Sequence, residues 1–181
     1  MSKAYLAVAS LIVLVTLGGS CGAAANETTP APAASATGRT TIEVPLDQAL
    51  KEIKGAGKRR LIVFEDPYCP YCRQLEMTLQ HVDNVTIYVF LYPILTADSV
   101  VKAKSIWCSA DRTAAWREWM LERRAPLATG ACATPIASVL DFGKRLRVGG
   151  TPTMLFADGR RVAGVIPAEE IERYLTEAEK R

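Results

Sequence analysis

The residues with the clearest chemical potential are Cys69-Pro70-Tyr71-Cys72, in which two residues separate two thiols. At the start of a helix this spacing places the thiols about one turn apart, so they can close and reopen a disulfide. The unpaired N–H groups of the first turn favour a negative charge. We therefore predict that Cys69 attacks as a thiolate and that Cys72 resolves the mixed disulfide.

Cys108 and Cys132 lack the paired spacing of a reactive dithiol. We predict that they form a structural disulfide, which would stabilise the fold by about 3 kcal/mol by restricting the unfolded chain. A zinc site at the motif would need two further ligands, and His81 is the only histidine in the sequence. We expect no metal and no cofactor, with metal binding kept as an alternative.

A strand, a helix and a second strand are predicted around the motif. The run 61–64 is apolar and partly β-branched, helical spacing follows the motif, and 85–91 reads as a second buried strand. Such a unit implies parallel strands joined by a right-handed crossover. Before it, we expect a strand at 40–44 and a helix over 46–53.

The second half of the chain is predicted to contain helices first and a hairpin later. Residues 96–146 carry all three tryptophans and indicate two or three helices, with the tryptophans mainly in the core. A strand at 152–156, an Asp158-Gly159 turn, a returning strand and a helix opened by Pro167 follow. The fold class is therefore α/β, with a mixed sheet covered by helices.

The first residues have the pattern of an export signal. Lys3 precedes an apolar run over 4–17, and a small-residue stretch then leads to Cys21, so we predict a signal peptide over 1–21. Two processing routes remain open: a lipobox-like cleavage that lipidates Cys21, or cleavage after Ala25. Residues 22–38 are predicted to be a flexible linker and 39–181 the folded domain.

Composition excludes several classes of partner. The chain has 49% hydrophobic and 23% charged residues, as in ordinary globular proteins. Its 22 basic and 19 acidic residues nearly balance, so we expect no nucleic-acid partner. Without Cys21, four cysteines remain, an even set that suits two disulfides in an exported protein.

Three segments together resemble the catalytic domain of periplasmic disulfide isomerases of the DsbC/DsbG type. They are the motif with the strand that leads into it (63–72), Trp107-Cys108 in the helical region, and the run 148–153 with Thr151-Pro152. The resemblance covers about 40–181. It implies a thioredoxin-like fold with a helical insertion between its βαβ and ββα halves.

The same resemblance implies roles for residues outside the cysteines. The peptide bond before Pro152 is expected to be cis, and this loop is expected to face Cys69 and to present the backbone of Thr151 to an extended substrate. Pro70 and Tyr71 complete the expected site. Members of the family carry an N-terminal dimerisation domain, which is not recognisable here, so a monomer is expected.

The sequence therefore indicates an exported thiol:disulfide interchange enzyme in the periplasm, with isomerase or reductase activity favoured over oxidation. Expected partners are exported proteins with cysteines or disulfides and a membrane thiol–disulfide electron carrier. The alternative is a client-binding or metal-binding module that uses the same fold without redox turnover.

Overall fold

The computed structural model describes residues 43–180, and the predicted signal peptide and linker lie outside this range. Within it, five strands form one sheet in the order β1-β3-β2-β4-β5. They are β1 (Leu50–Lys54), β2 (Arg59–Glu65), β3 (Val85–Leu91), β4 (Thr153–Phe156) and β5 (Arg161–Ala163). Strands β2 and β3 are parallel and the other neighbours are antiparallel, which confirms the predicted mixed sheet.

The helices cover the sheet and supply the predicted insertion between β3 and β4. They are α1 (Pro70–Leu79), α2 (Ala97–Trp107), α3 (Arg112–Arg117), α4 (Ile136–Arg145) and α5 (Ala168–Ala178). Helix α3 continues into a π-helical turn, Glu118–Glu122. Three helices thus lie between 96 and 146, in agreement with the prediction. Among the described residues, no helix is both long and apolar enough to cross a membrane.

The core divides between the two faces of the sheet because successive strand residues point to opposite sides. On one side Leu61 and Val63 pack with Leu75 of α1. On the other side Phe64 and Phe90 stack with ring centroids 5.1 Å apart. Strand β2 is buried on both faces, so its carboxyl end, where the cysteine motif begins, is held firmly.

The predicted helix over 46–53 is wrong. A short 3-10 turn, Leu46–Gln48, leads instead into β1, which pairs antiparallel with β3 from Leu50↔Val89 to Lys54↔Val85. Leu50 is buried, whereas Ile53 is 59% exposed, so the apolar residues do not form one helical face. The open edge of β3 needs backbone partners, and this pairing outweighs the local helical spacing. Of the strand predicted at 40–44, only 43–44 lie in the described range, and they are not in a strand.

Tryptophan packing follows the prediction. Trp107 and Trp116 are buried, and Trp119 is half-buried.

The hairpin between β4 and β5 also lies where the sequence places it. Gly159 is in the left-handed region at φ +87°, and the backbone N–H of Arg160 donates to the side chain of Asp158.

Candidate active site

Cys69 caps the amino terminus of α1. Its backbone is extended, and its Sγ accepts a hydrogen bond from the backbone N–H of Cys72 at 3.3 Å. Pro70 occupies the first turn of the helix, where the missing N–H leaves no gap in the bonding pattern. The positive end of the helix therefore lies directly against Sγ of Cys69.

Cys72 lies one turn deeper and has no solvent exposure. Burial raises the pKa of the Cys72 thiol, and the neighbouring Glu65 carboxyl acts in the same direction. Cys69 is only 3% exposed, yet it stands at the end of the helix where the loop begins. The two thiols are not joined to each other in this structure, so it describes the reduced dithiol.

The Thr151-Pro152 loop lies against Cys69. The peptide bond between these residues is cis, and the carbonyl oxygen of Thr151 lies 3.3 Å from Sγ of Cys69. Pro152 is buried, and β4 begins immediately after it with a Thr153 hydroxyl that donates to the carbonyl of Gly150. The structure thus brings together the cysteine pair and the loop that the sequence separates by about eighty positions.

Asp66 organises the loop that carries Cys69. This fully buried carboxylate accepts hydrogen bonds from the N–H groups of Tyr68 (2.8 Å), Ile94 (2.8 Å) and Leu95 (3.0 Å), and from the hydroxyl of Ser99 (2.8 Å). Four donors satisfy a buried charge well. Asp66 therefore ties the active-site loop to the segment that opens α2.

The helical insertion also contacts the motif. The indole N–H of Trp119 donates to the carbonyl of Pro67 at 2.6 Å, and the ring of Trp119 meets that of Tyr68 edge-on. Arg73, the residue after the motif, donates to the carbonyl of Met120 at 2.9 Å. The π-helical turn after α3 therefore contacts the chain on both sides of the cysteine motif.

Exposed aromatic and aliphatic side chains surround the site. Tyr71 is 62% exposed and Tyr68 is 40% exposed, although both belong to the motif region. Ile94 and Leu95, whose N–H groups bind Asp66, also present their side chains to solvent. Such a rim can contact apolar side chains of a polypeptide.

The remaining cysteine pair is bonded. Cys108 and Cys132 form a disulfide with Cα atoms 5.7 Å apart, which links the end of α2 to the segment before α4.

Among residues 43–180, no group of three or more histidine, cysteine or acidic side chains is arranged to hold a metal ion. His81 is exposed just beyond α1.

Four of the residues around the site were missed by sequence reasoning: Glu65, Asp66, Arg73 and Glu76. Glu65 is the last residue of the buried strand β2 and Asp66 follows it, and an acidic residue is unusual at such buried positions. Glu76 lies four positions after Cys72, on the same helical face. The sequence contained one signal for these acidic residues: they stand at positions that the hydrophobic pattern assigns to the core.

Comparisons with known proteins agree with this geometry. Residues 46–179 match a family described as thioredoxin-like domain. The probable thiol:disulfide interchange protein DsbC of Bordetella avium is 50% identical over 134 residues, which are 74% of this chain and 48% of that protein. DsbC of Escherichia coli K12 is 26% identical over 164 residues, 82% of this chain and 69% of that protein.

A solved structure supports the same relationship, and nearly its whole chain aligns with this one. The disulfide interchange protein from Neisseria gonorrhoeae superposes with a TM-score of 0.69 at 39% identity, covering 73% of this chain and 98% of the other. The chain spans about half the length of the Bordetella relative it matches. On the family match and this coverage, the chain belongs to the thioredoxin-like domain family, among its disulfide interchange proteins.

Proposed function

We propose that the protein exchanges disulfides with exported proteins through Cys69 and Cys72, as a reductase or isomerase. The observation that carries this proposal is the arrangement at Cys69. Sγ of Cys69 accepts a hydrogen bond from the backbone N–H of Cys72 at the start of the helix, and it faces the carbonyl of Thr151. Cys72 lies one turn further into the helix as a buried thiol. Similarity to relatives named thiol:disulfide interchange protein supports the same reaction.

The exchange proceeds in two displacements. The Cys69 thiolate attacks one sulfur of a substrate disulfide, and that bond breaks with its electron pair on the second sulfur, which takes a proton from solvent. Cys72 then loses its proton and attacks Sγ of Cys69. The Cys69–substrate bond breaks, the Cys69–Cys72 disulfide forms, and the substrate leaves reduced. In isomerisation a substrate thiol attacks the mixed disulfide instead and releases Cys69.

Substrate recognition is proposed to use the Thr151 backbone and the exposed rim. An extended polypeptide can pair with the backbone beside Pro152, which itself has no N–H. Tyr68, Tyr71 and Leu95 are exposed nearby and can contact apolar side chains of an unfolded segment. Such contacts suit substrates with little sequence in common, since they depend on backbone and apolar surface.

The proposed setting is the periplasm, with a membrane thiol–disulfide carrier that returns Cys69–Cys72 to the reduced form. We propose that 39–181 acts as a monomeric catalytic domain, that 22–38 is a linker, and that Cys21 carries a lipid. The lipobox-like run before Cys21 supports this last step. Replacing Cys21 with serine should then move the protein from the membrane fraction to the soluble fraction.

A redox titration tests the proposed function. The purified protein is equilibrated in glutathione buffers, and free thiols are alkylated and counted by mass. We expect Cys69 and Cys72 to titrate as a pair while Cys108 and Cys132 stay closed. A potential above about −180 mV would place the protein with oxidants and isomerases, and one near about −270 mV with reductases. If no pair titrates, the exchange proposal is wrong.

One variant distinguishes the proposed exchange enzyme from the alternative, a binding module without redox turnover. Cys69→Ser keeps the fold and the rim but lacks the attacking sulfur. Under our proposal it loses all disulfide exchange with a scrambled model substrate, even if it still binds that substrate. Exchange by Cys69→Ser at the wild-type rate would contradict the assignment of the nucleophile.

A further inference from the structure

Two positively charged side chains lie over Trp119, beside the loop that carries the cysteine motif, and the exchange steps do not use them. The indole N–H of Trp119 donates to the carbonyl of Pro67, and its ring meets that of Tyr68, the residue before the motif. Nζ of Lys102 lies 4.0 Å from the centroid of the Trp119 ring, and Cζ of Arg123 lies 5.6 Å from it. We call Lys102, Trp119 and Arg123 the cationic shelf.

The position of Lys102 follows from the way α2 packs. Ser99 in the first turn of this helix is buried, and its hydroxyl donates to Asp66 in the loop that leads to the motif. Lys102 comes three residues after Ser99 and therefore lies on the same helical face. The contact that fixes the active-site loop thus also places the ammonium group of Lys102 beside this loop.

The position of Arg123 follows from an unusual helix end. The π-helical turn Glu118–Glu122 contains Trp119 and ends at Arg123, whose backbone is left-handed at φ +60°. Glycine is the usual residue at such a position, because a side chain is strained there. Both π-helical turns and residues with strained backbones are common at functional sites. The chain therefore carries a strained arginine where a glycine would end the helix more easily.

The aromatic contact holds the two cations without neutralising them. An indole ring attracts a cation through its quadrupole and has no net charge of its own. Neither Lys102 nor Arg123 forms an ion pair with a carboxylate in the described part of the chain. The acidic residues of the π-helical turn, Glu118 and Glu122, pair with Arg124 instead. Both charges of the cationic shelf are therefore available to an acidic group from another molecule.

The surroundings of the cationic shelf are accessible and positive on balance. Arg123 is exposed and Lys102 is half-buried. Arg73 adds a positive charge, since its guanidinium donates to two backbone carbonyls of the π-helical turn. Asp98 is exposed one turn before Lys102 on α2 and does not pair with it. Even with Asp98 and the two glutamates that bind Arg124, the region keeps a net positive charge next to the reactive loop.

We propose that the cationic shelf selects substrate segments that carry a glutamate or aspartate close to the cysteine under attack. This proposal rests on the proposed function and names the class of substrate that the same site prefers. An extended segment whose sulfur meets Cys69 has residues close enough to reach the shelf, because Trp119 contacts Tyr68, the residue next to Cys69. A carboxylate on such a residue meets two cations, which speeds the encounter and orients the segment.

Matched peptides test this selection. Each peptide contains one cysteine joined to a pyridinethiol through a disulfide, and a glutamate, glutamine or lysine stands two positions before the cysteine in one set and two positions after it in another. The Cys69 thiolate attacks the peptide sulfur, and the released pyridinethione, an uncharged group, is followed by stopped-flow absorbance. Each second-order rate constant is divided by that of a small uncharged thiol with the same peptide, which removes the intrinsic reactivity of the peptide.

At low salt we expect the reduced wild type to react about tenfold faster with the glutamate peptide than with the lysine peptide in at least one set, with the glutamine peptide between them. This ratio should fall towards one at high salt, because ions screen exposed charges. Equal normalised rates for all three peptides in both sets would refute the selection and leave the exchange reaction standing. No release from any peptide would refute the proposed function itself.

Variants of α2 separate the cationic shelf from the net charge of the protein. Lys102→Gln should lower the glutamate-to-lysine ratio by about threefold or more, and Lys102→Glu should reverse the preference. Lys104→Gln is the matched control, since Lys104 is exposed on another face of the same helix and its loss changes the net charge equally. Lys104→Gln should keep the wild-type ratio. Equal losses in Lys102→Gln and Lys104→Gln would overturn the proposal.

Variants of Arg123 provide a test that does not depend on the packing of α2. Glycine suits the left-handed backbone at this position, so Arg123→Gly should unfold at a temperature no lower than the wild type does. Its glutamate-to-lysine ratio should nevertheless fall, whereas Arg123→Lys, which retains the charge, should keep most of the preference. A wild-type ratio in Arg123→Gly, or equal losses in Arg123→Gly and Arg123→Lys, would contradict selection by charge at the cationic shelf.

Discussion

The backbone N–H of Cys72 donates to Sγ of Cys69 across 3.3 Å, so the helix start holds the two cysteines in contact before any disulfide forms. This contact makes the cysteines unequal. Cys69 receives the N–H at the positive end of α1, whereas Cys72 is enclosed and its pKa is raised by burial. The proposed order of attack, first by Cys69 and then by Cys72, rests on this inequality.

Cys72→Ser should therefore trap mixed disulfides. Cys69 still attacks a substrate disulfide, but no resolving thiol follows, so the covalent complex accumulates. The measurement is a non-reducing gel with intact mass analysis after incubation with a reduced and reoxidised substrate protein. Cys69→Ser should give no complex. Equal trapping by both variants would show that either cysteine can attack and would contradict the assigned order.

Asp66→Asn should destabilise the protein by about 1–3 kcal/mol, because an amide cannot accept all four hydrogen bonds and its NH₂ group faces donors. The donors are three backbone N–H groups and the Ser99 hydroxyl. Urea unfolding measures the change. Asp141→Asn, at an exposed site with a lysine partner, is the control and should change stability by less than about 0.5 kcal/mol. Equal effects would mean that Asp66 does not hold the loop.

The sequence predicts the centre of this fold better than its edge. Strands β2 and β3 are buried on both faces, so their apolar runs identify them without knowledge of their neighbours. Strand β1 lies at the sheet edge and has only one residue that is fully buried, Leu50. Its conformation is decided by pairing with β3, a long-range contact that local spacing does not contain.

The residues of the candidate site also fall into two groups: those that the sequence predicts and those that it does not. Cys69 and Cys72 are separated by only two residues, a recognisable spacing, and the resemblance to a known family predicts the position of Thr151-Pro152. Asp66 takes hydrogen bonds from residues of other elements, and Glu65 is fully buried, and only the folded chain creates these surroundings. A single acidic residue in a sequence usually indicates a solvated surface, so its burial could not be derived without the packing of α1 and the insertion.

Removing the Cys108–Cys132 disulfide should lower the free energy of unfolding by about 3 kcal/mol, since the bridge spans a sequence separation of 24. The double variant with alanine at both positions avoids a new free thiol. Urea unfolding measures the loss, and thiol counting should show that Cys69 and Cys72 still titrate as a pair. If the reactive pair no longer titrates in a folded double variant, the bridge has a redox role and the structural assignment is wrong.

Glu172→Gln should destabilise the protein at neutral pH and have little effect in acid. Burial opposes ionisation of Glu172, but hydrogen bonds from Arg59 and from the Asp83 backbone N–H lower its pKa overall. A lowered pKa contributes stability above the unfolded value of about 4.3, and this is lost as pH falls through the folded value. The carboxylate is partly exposed, so we expect about 0.5–1 kcal/mol. An effect that grows in acid would contradict this origin.

Glu65→Gln should have the opposite pH dependence. Burial raises the pKa of Glu65, so the folded state binds more protons than the unfolded state above about pH 4.3, and stability falls as pH rises towards the folded value. An amide has no proton to lose and can donate to the Glu76 carboxylate. The variant should therefore gain stability over the wild type between about pH 4 and pH 8, by on the order of 1 kcal/mol. Urea unfolding at both pH values measures this gain. A constant difference between the two proteins, or a gain confined to acid, would show that the Glu65 carboxyl is not held protonated by its surroundings.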